Sequence, residues 1–176
     1  MLTLSQQIVI DEFARELVKM IQNVIRTRPI KRVSLRNKNG KQTRSTFYAP
    51  VNASGNLAET LRYELTETNL SIYANDYIYK LIWGDPPNPN NSVSNEDLKA
   101  WFKTKGISPE GDMSEETLAS LVKKKIQDHG SSIYLAHQGK NSGLLENIVN
   151  EQLISEYNNK FTQQLKTELL ALTNGD

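Results

Sequence analysis

The chain has 176 residues, 38% of them hydrophobic and 23% charged, which suits one globular domain with its own core rather than a disordered segment. It has no cysteine, which excludes disulfides, thiolate metal sites and thiol nucleophiles, and no apolar run approaches the ~18 residues of a membrane span, so neither insertion nor secretion is expected. A net charge of +1 conceals an asymmetry: residues 1–44 carry ten Lys or Arg against three acids, the remainder eleven against seventeen, and no Asp or Glu occurs between Glu16 and Glu59.

Ile10, Phe13, Leu17, Met20, Ile21, Val24 and Ile25 recur at helical spacing until Pro29, which predicts an amphipathic N-terminal helix. Alternation then takes over. Val33 and Leu35 are separated by Ser34, and Asn39-Gly40 is a tight-turn pair, so a basic β-hairpin is expected from about Lys31 to Phe47. Pro50 breaks the strand, the stretch from Asn52 to Asn56 is turn-rich with Gly55 at a tight entry, and a short helix near Asn56 carries Leu57 and Leu61 on one face. Leu65, Leu70, Ile72 and Tyr73 indicate two short strands on either side of residues 66–69, followed by the aromatic-rich Tyr77, Tyr79 and Trp83. Residues 84–95, with Pro86, Pro87, Pro89 and several asparagines, read as a loop.

Ser94 or Asn95 caps a helix from Glu96 that turns Leu98, Trp101 and Phe102 inward and ends at Gly106. A second helix follows Ser114, with Leu118, Leu121, Val122 and Ile126 as its stripe, Lys123 to Lys125 as a solvated face, and His129-Gly130 as its stop. After a Gly/Ser/Asn-rich loop, one long helix is predicted from Leu144 to Leu172, its apolar positions from Leu145 through Ile148, Val149, Leu153, Tyr157, Phe161, Leu165 and Leu169 falling on helical spacing. The expected fold class is α+β: an N-terminal helix and a small antiparallel sheet with a long basic hairpin, packed by helices including a long C-terminal one, in one domain over residues 1–176.

No constellation for chemistry is evident, and neither an enzyme, a cofactor nor a metal is expected. His129 and His137 lack a third ligand at a recognised spacing, Glu96/Asp97 and Glu115/Glu116 sit at helix starts, and Gly139-Lys140-Asn141-Ser142 has Tyr134 where a phosphate loop requires Gly. The candidate contact residues are instead basic: Arg26, Arg28, Lys31, Arg32, Arg36, Lys38, Lys41 and Arg44. Cations without balancing acids suit a phosphate backbone or an acidic neighbour, and the lack of aromatics between Arg26 and Arg44 favours duplex contact over base stacking. The plain alternative is a hairpin whose charged edges resist aggregation. Tyr77, Tyr79 and Trp83 are a candidate partner-facing patch, or the core side of a short strand or helix.

Four segments taken in order are similar to a known family. The run from Ala49 to Leu61, a Pro- and Gly-containing turn entering a short helix, and the run Asn75-Asp76-Tyr77-Ile78-Tyr79 through Trp83-Gly84 resemble the tail-completion or neck proteins of tailed bacteriophages. Asn52 stands where an acid is usual, and Ile78 where a small residue is usual. Leu98 to Ile107 is similar to the Trp-containing helix of that family, and Leu118 to Gly130 to its next helix. The resemblance implies a non-enzymatic virion subunit, assembled in the host cytoplasm, that forms a ring of copies of itself (a hexamer or dodecamer) at the head–tail joint. Connector and tail proteins would be its neighbours, double-stranded DNA would pass through or against the ring, and the hairpin and the 84–95 loop would serve as arms. The rival expectation is a stand-alone, sequence-independent duplex-DNA-binding protein of a mobile element.

Overall fold

The computed structural model describes residues 3–38, 41–50, 56–66, 69–90 and 93–173. Helix α1 (Leu4–Thr27) opens on a capping box, in which Thr3 Oγ1 accepts from the Gln6 amide and the Gln6 side chain accepts from the Thr3 amide. It buries Ala14, Leu17, Val18, Ile21 and Ile25 along one stripe. Arg28 precedes Pro29, is extended as residues before proline are, and ends the helix. The chain continues directly into β1 (Pro29–Lys38), which pairs antiparallel with β2 (Lys41–Pro50) from Pro29↔Pro50 to Lys38↔Lys41. The expected hairpin is therefore present and longer at its base. Its Asn39-Gly40 turn, like the turn around Gly55, lies outside the described residues.

A short helix α2 (Asn56–Glu59) buries Leu57 and Ala58, and a second sheet pairs β3 (Arg62–Leu65) with β4 (Leu70–Tyr73). Helix α3 (Tyr77–Trp83) follows, then α4 (Asn95–Lys105) and α5 (Glu115–His129), α6 (Ser132–His137) and α7 (Glu151–Thr173). The fold is α+β and about 57% helical, with two small antiparallel sheets. One core joins α1, the start of β1 at Ile30, Leu57 to Leu61, Leu81 of α3, Ile133 of α6 and the buried Leu144 and Ile148. A separate small cluster, Leu98 and Phe102 of α4 with Ala119 of α5, holds those two helices as a satellite unit.

Several expectations need correction. The stretch after Gly130 is not all loop, since α6 forms there on Ser131, whose Oγ accepts from the Tyr134 amide. The C-terminal helix does not begin at Leu144 but at Glu151, because Asn147 takes a left-handed φ of 60° that no helix continues through, and Asn150 Oδ1 accepts from the Leu153 amide at the new start. Trp101 is not inward: it is 39% exposed, since α5 is the element packed on α4 in the described cluster and Leu98 and Phe102 already fill that seam. Leu121 is 52% exposed, and Ala119 takes the buried position on α5. The capping box missing from α5 is instead found at α4, between Ser94 and Asp97.

Two glycines bring these parts together. Gly84 ends α3 at φ 73° and Gly130 ends α5 at φ 81°, both in the left-handed region. A Cβ on Gly84 would lie 2.3 Å from the Tyr134 amide nitrogen, and one on Gly130 would lie 2.6 Å from the Asp85 carbonyl oxygen. Between them, Ser131 N donates to Asp85 O at 2.9 Å while Asp85 N donates to Ser131 Oγ at 2.9 Å. Gly84→Ala should therefore cost on the order of 3 kcal/mol, from the strained φ and from backbone that cannot move aside. Urea unfolding measures this, and a midpoint equal to wild type would contradict the close approach.

Candidate assembly and nucleic-acid interface

The register of the hairpin sorts its side chains onto two faces. Lys31 opposes Tyr48, Val33 opposes Thr46 and Leu35 opposes Arg44 on one face; Ile30 with Ala49, Arg32 with Phe47 and Arg36 with Thr43 make up the other. Strand β1 is docked, with Ile30, Val33 and Leu35 all buried, whereas β2 is exposed from Lys41 to Tyr48. The docking uses backbone carbonyls as well as apolar contact. Lys125 Nζ of α5 donates to Leu35 O, and a ring nitrogen of His137 lies 3.1 Å from Lys31 O. Lys125 is thus not part of a solvated face: burial, and secondarily Arg36, lowers its pKa. A groove of about 400 Å³ runs between hairpin and helix, lined by Leu35, Gln42, Leu121, Lys124, Lys125, Asp128 and His129.

The eight basic candidates divide by what they touch. Arg28 is a clamp rather than a surface contact, its guanidinium donating to the carbonyls of Gly143 (3.2 Å), Leu144 (2.8 Å) and Glu146 (2.7 Å). Arg26, Lys31, Arg36, Lys41 and Arg44 are exposed, and of Lys38 the backbone alone is described, opposite Lys41 at the far end of the ladder. Arg32 is half-buried. Its Nη2 lies 3.5 Å from Pro50 O, its Nε is buried without an acceptor, and burial lowers its pKa from the ordinary guanidinium value. Its electrostatic neighbour is Tyr77, whose own pKa is raised by burial, with Arg32 acting in the opposite direction.

The aromatic candidates lie on helix α3, whose buried residue is Leu81. Tyr77, Tyr79 and Trp83 are 47%, 64% and 45% exposed, so they are a surface feature and not core. Two further aromatics escaped the sequence reading: Phe47 and Tyr48 follow the basic run in sequence, and the antiparallel return of β2 sets them beside Arg32 and Lys31. The signal was the pairing register, which reaches back from an Asn-Gly turn to place residue 47 opposite residue 32. The 84–95 loop runs along α5 where it is described, with Gln127 Nε2 donating to Pro89 O at 3.0 Å.

Among the described residues no group of three or more His, Asp or Glu could hold a metal ion, and no helix is long and apolar enough to cross a membrane. His129 faces Gln42 and His137 faces Lys31 O. What the arrangement offers chemically is an exposed cationic strand with aromatic flanks, fixed on a helical base. Comparison of the chain with family models, curated proteins and solved structures gives no match.

The division of the basic residues is testable by stability alone. Arg28→Met strands three carbonyls that accept from a charged donor and should cost about 3 kcal/mol, whereas Lys41→Glu and Arg44→Glu on the exposed strand should stay within about 0.5 kcal/mol of wild type. Chemical denaturation of the three variants side by side checks this; equal losses in all three would remove the distinction between clamp and surface.

Proposed function

We propose that this chain is a structural subunit of a tailed-phage virion, placed at the head–tail joint, where copies of it form a ring around the DNA channel and meet connector and tail proteins. The observation that carries the reading is the exposed strand β2, basic at Lys41 and Arg44 and aromatic at Phe47 and Tyr48, held rigid from behind by a buried β1. A docked strand with a solvent-facing cationic partner supplies duplex backbone contact without base recognition. The resemblance of the segments between Ala49 and Gly130 to neck proteins supports the same assignment. So do the uncovered apolar residues of α7, Leu165, Leu169 and Leu172, the last 75% exposed, because contiguous apolar surface of this kind is characteristic of assembling subunits.

No catalytic step is assigned. Of the acids at the helix starts, Asp97 is committed to the α4 capping box and Glu116 to Lys99 and Asn95. A free, sequence-independent DNA-binding protein is the competing reading, favoured by the same exposed strand, and salt separates the two. A free binder loses affinity steeply as salt rises, with a log–log slope of about 0.9 per phosphate contact, while a ring subunit binds duplex weakly until assembled.

The test is localisation followed by charge reversal. Purified particles imaged by electron cryomicroscopy should carry cyclic density at the head–tail joint that fits this fold, with β2 toward the channel. Lys41→Glu and Arg44→Glu combined should leave the fold intact and reduce DNA retention by the particle. Absence of the protein from every particle, with tight salt-sensitive duplex binding in isolation, would replace this reading by the DNA-binding one.

A further inference from the structure

Among the basic candidates whose side chains are described, Arg32 is the one that is neither exposed nor satisfied. Its guanidinium is half-buried, Nε has no acceptor, and the nearest carbonyl, of Pro50, is at the 3.5 Å limit of a hydrogen bond. Among the described residues it has no carboxylate partner, and Asp85, the acid that faces its neighbour Tyr77, is engaged with Lys80 at 3.6 Å. A desolvated cation left unpaired is costly, and the natural relief is a carboxylate that brings two acceptor oxygens to the fork. Around it stand exposed aromatics, Phe47 across the ladder and Tyr77 on α3. Arg with aromatic neighbours is the composition of interface hot spots.

The chain carries a surface of opposite chemistry. The connection between α4 and α5 exposes Glu110 and Asp112, and the start of α5 exposes Glu115, with Ile107 and Met113 beside them at 36% and 37% exposure. Glu110 and Asp112 form no ion pair among the described residues. Within its own chain the polar neighbours of Arg32 are Pro50 O and Tyr77, and neither belongs to this tip. Lys125 contacts β1 near the far end of α5, ten residues beyond Glu115, so the tip lies about 15 Å away along the helix. Leu35, which lines the groove beside α5, is on the opposite face of the hairpin from Arg32.

We propose that Arg32, with Phe47 and Tyr77 around it, receives a carboxylate from the Glu110–Asp112 tip of a second copy of this chain, in a head-to-tail contact. The apolar residues Ile107 and Met113 of the tip meet the aromatic rings, and the acids meet Arg32 and Arg36, which share that face. This rests on the ring reading above, because a heterologous contact repeated by rotation closes into a ring. It also gives the charge asymmetry of the sequence, +7 over residues 1–44 and −6 over residues 45–176, a common purpose, each copy presenting basic surface to acidic surface of the next.

Two variants test it, each disabling one side. Arg32→Gln removes the receiving charge, and Glu110→Gln with Asp112→Asn, on an exposed tip outside both core clusters, removes the donating ones, neutral replacements that leave no new opposite charges to pair with each other. Sedimentation of the full chain at low salt should show wild-type association that high salt dissolves, and each variant should weaken it by about tenfold or more. An equimolar mixture of the two variants keeps one intact pair of surfaces and should form dimers that do not grow. Wild type that stays monomeric at low salt, or a mixture indistinguishable from its separate components, would overturn the contact. Association unchanged in both variants would also overturn it while leaving a ring built on another surface. Dimers in the mixture together with absence of the protein from phage particles would uphold the contact and reject the head–tail assignment.

Discussion

The helices that dock against the hairpin from the C-terminal side are fixed at the crossing of Gly84 and Gly130. Helices α3 and α5 both end there, each on a glycine with positive φ, and the two chain exits bond to each other through Asp85 and Ser131. Ser131 is at once the acceptor for Asp85 N and the N-cap of α6, so the same side chain that joins the two segments also starts the next helix. Helix α6 then inserts Ile133 into the main core and packs against β1. Because the approach at Gly84 is to the backbone of Tyr134, no side-chain rearrangement can open room there. The crossing therefore fixes α3, α5 and α6 relative to one another, and with them both sides of the strand that carries Arg32.

A second constraint follows from composition. Between Glu16 and Glu59 there is no acid to pair with the many cations, yet part of that segment is buried. The fold resolves the conflict with carbonyl oxygens. Arg28 takes the carbonyls of Gly143, Leu144 and Glu146, which holds Leu144 in the core, and Lys125, a cation that α5 adds from outside the segment, takes the carbonyl of Leu35, which holds β1 on α5. Carbonyl dipoles satisfy a buried cation without bringing a second charge out of water. Arg32 is the position where this solution is incomplete, and for that reason it differs in kind from the charges on β2, which water satisfies. The exposed strand retains its ordinary benefit too, since Lys and Arg along an edge discourage strand-to-strand aggregation.

The elements legible in the sequence are those whose period or caps are local. The α1 stripe, the Asn-Gly hairpin, the paired short strands and the Ser94 and Ser114 helix starts needed nothing from the rest of the chain. What escaped was set by tertiary contact. Helix α6 spans fewer than two turns, too short for periodicity to register, and its only local mark is Ser131. The late start of α7 is marked by Asn147 in the left-handed region, just beyond the 143–146 stretch whose carbonyls Arg28, more than a hundred residues earlier, binds. Trp101 satisfies a helical spacing but lies outside the α4–α5 seam, and Leu121 borders the open groove toward the hairpin; spacing alone cannot tell how closely a helix's neighbours pack. At the candidate site, the basic run was legible as a charge pattern, while the separation of a clamp, an unsatisfied cation and a solvated edge was not, because each is defined by its acceptor.

The long pair α1 and α7 shows how the fold can leave apolar surface uncovered without depending on it. The two helices run antiparallel, tied where they begin and end by Glu168, which accepts from Thr3 Oγ1 at 2.7 Å and Gln6 Nε2 at 3.1 Å. Nearer the core, Phe13 packs on Tyr157 with ring centroids 4.9 Å apart, and the Tyr157 hydroxyl donates to Glu16 at 2.6 Å. Burial and that bond to a carboxylate both raise the Tyr157 pKa, so the phenol remains a donor through the whole neutral range. These ties set the register of the pair through hydrogen bonds and one aromatic contact, with Leu153 and Tyr157 as the buried residues of α7. Leu169 and Leu172 lie beyond them and contribute little to holding α7 in place. The free energy that would come from covering them is therefore available to association and is not already committed to folding.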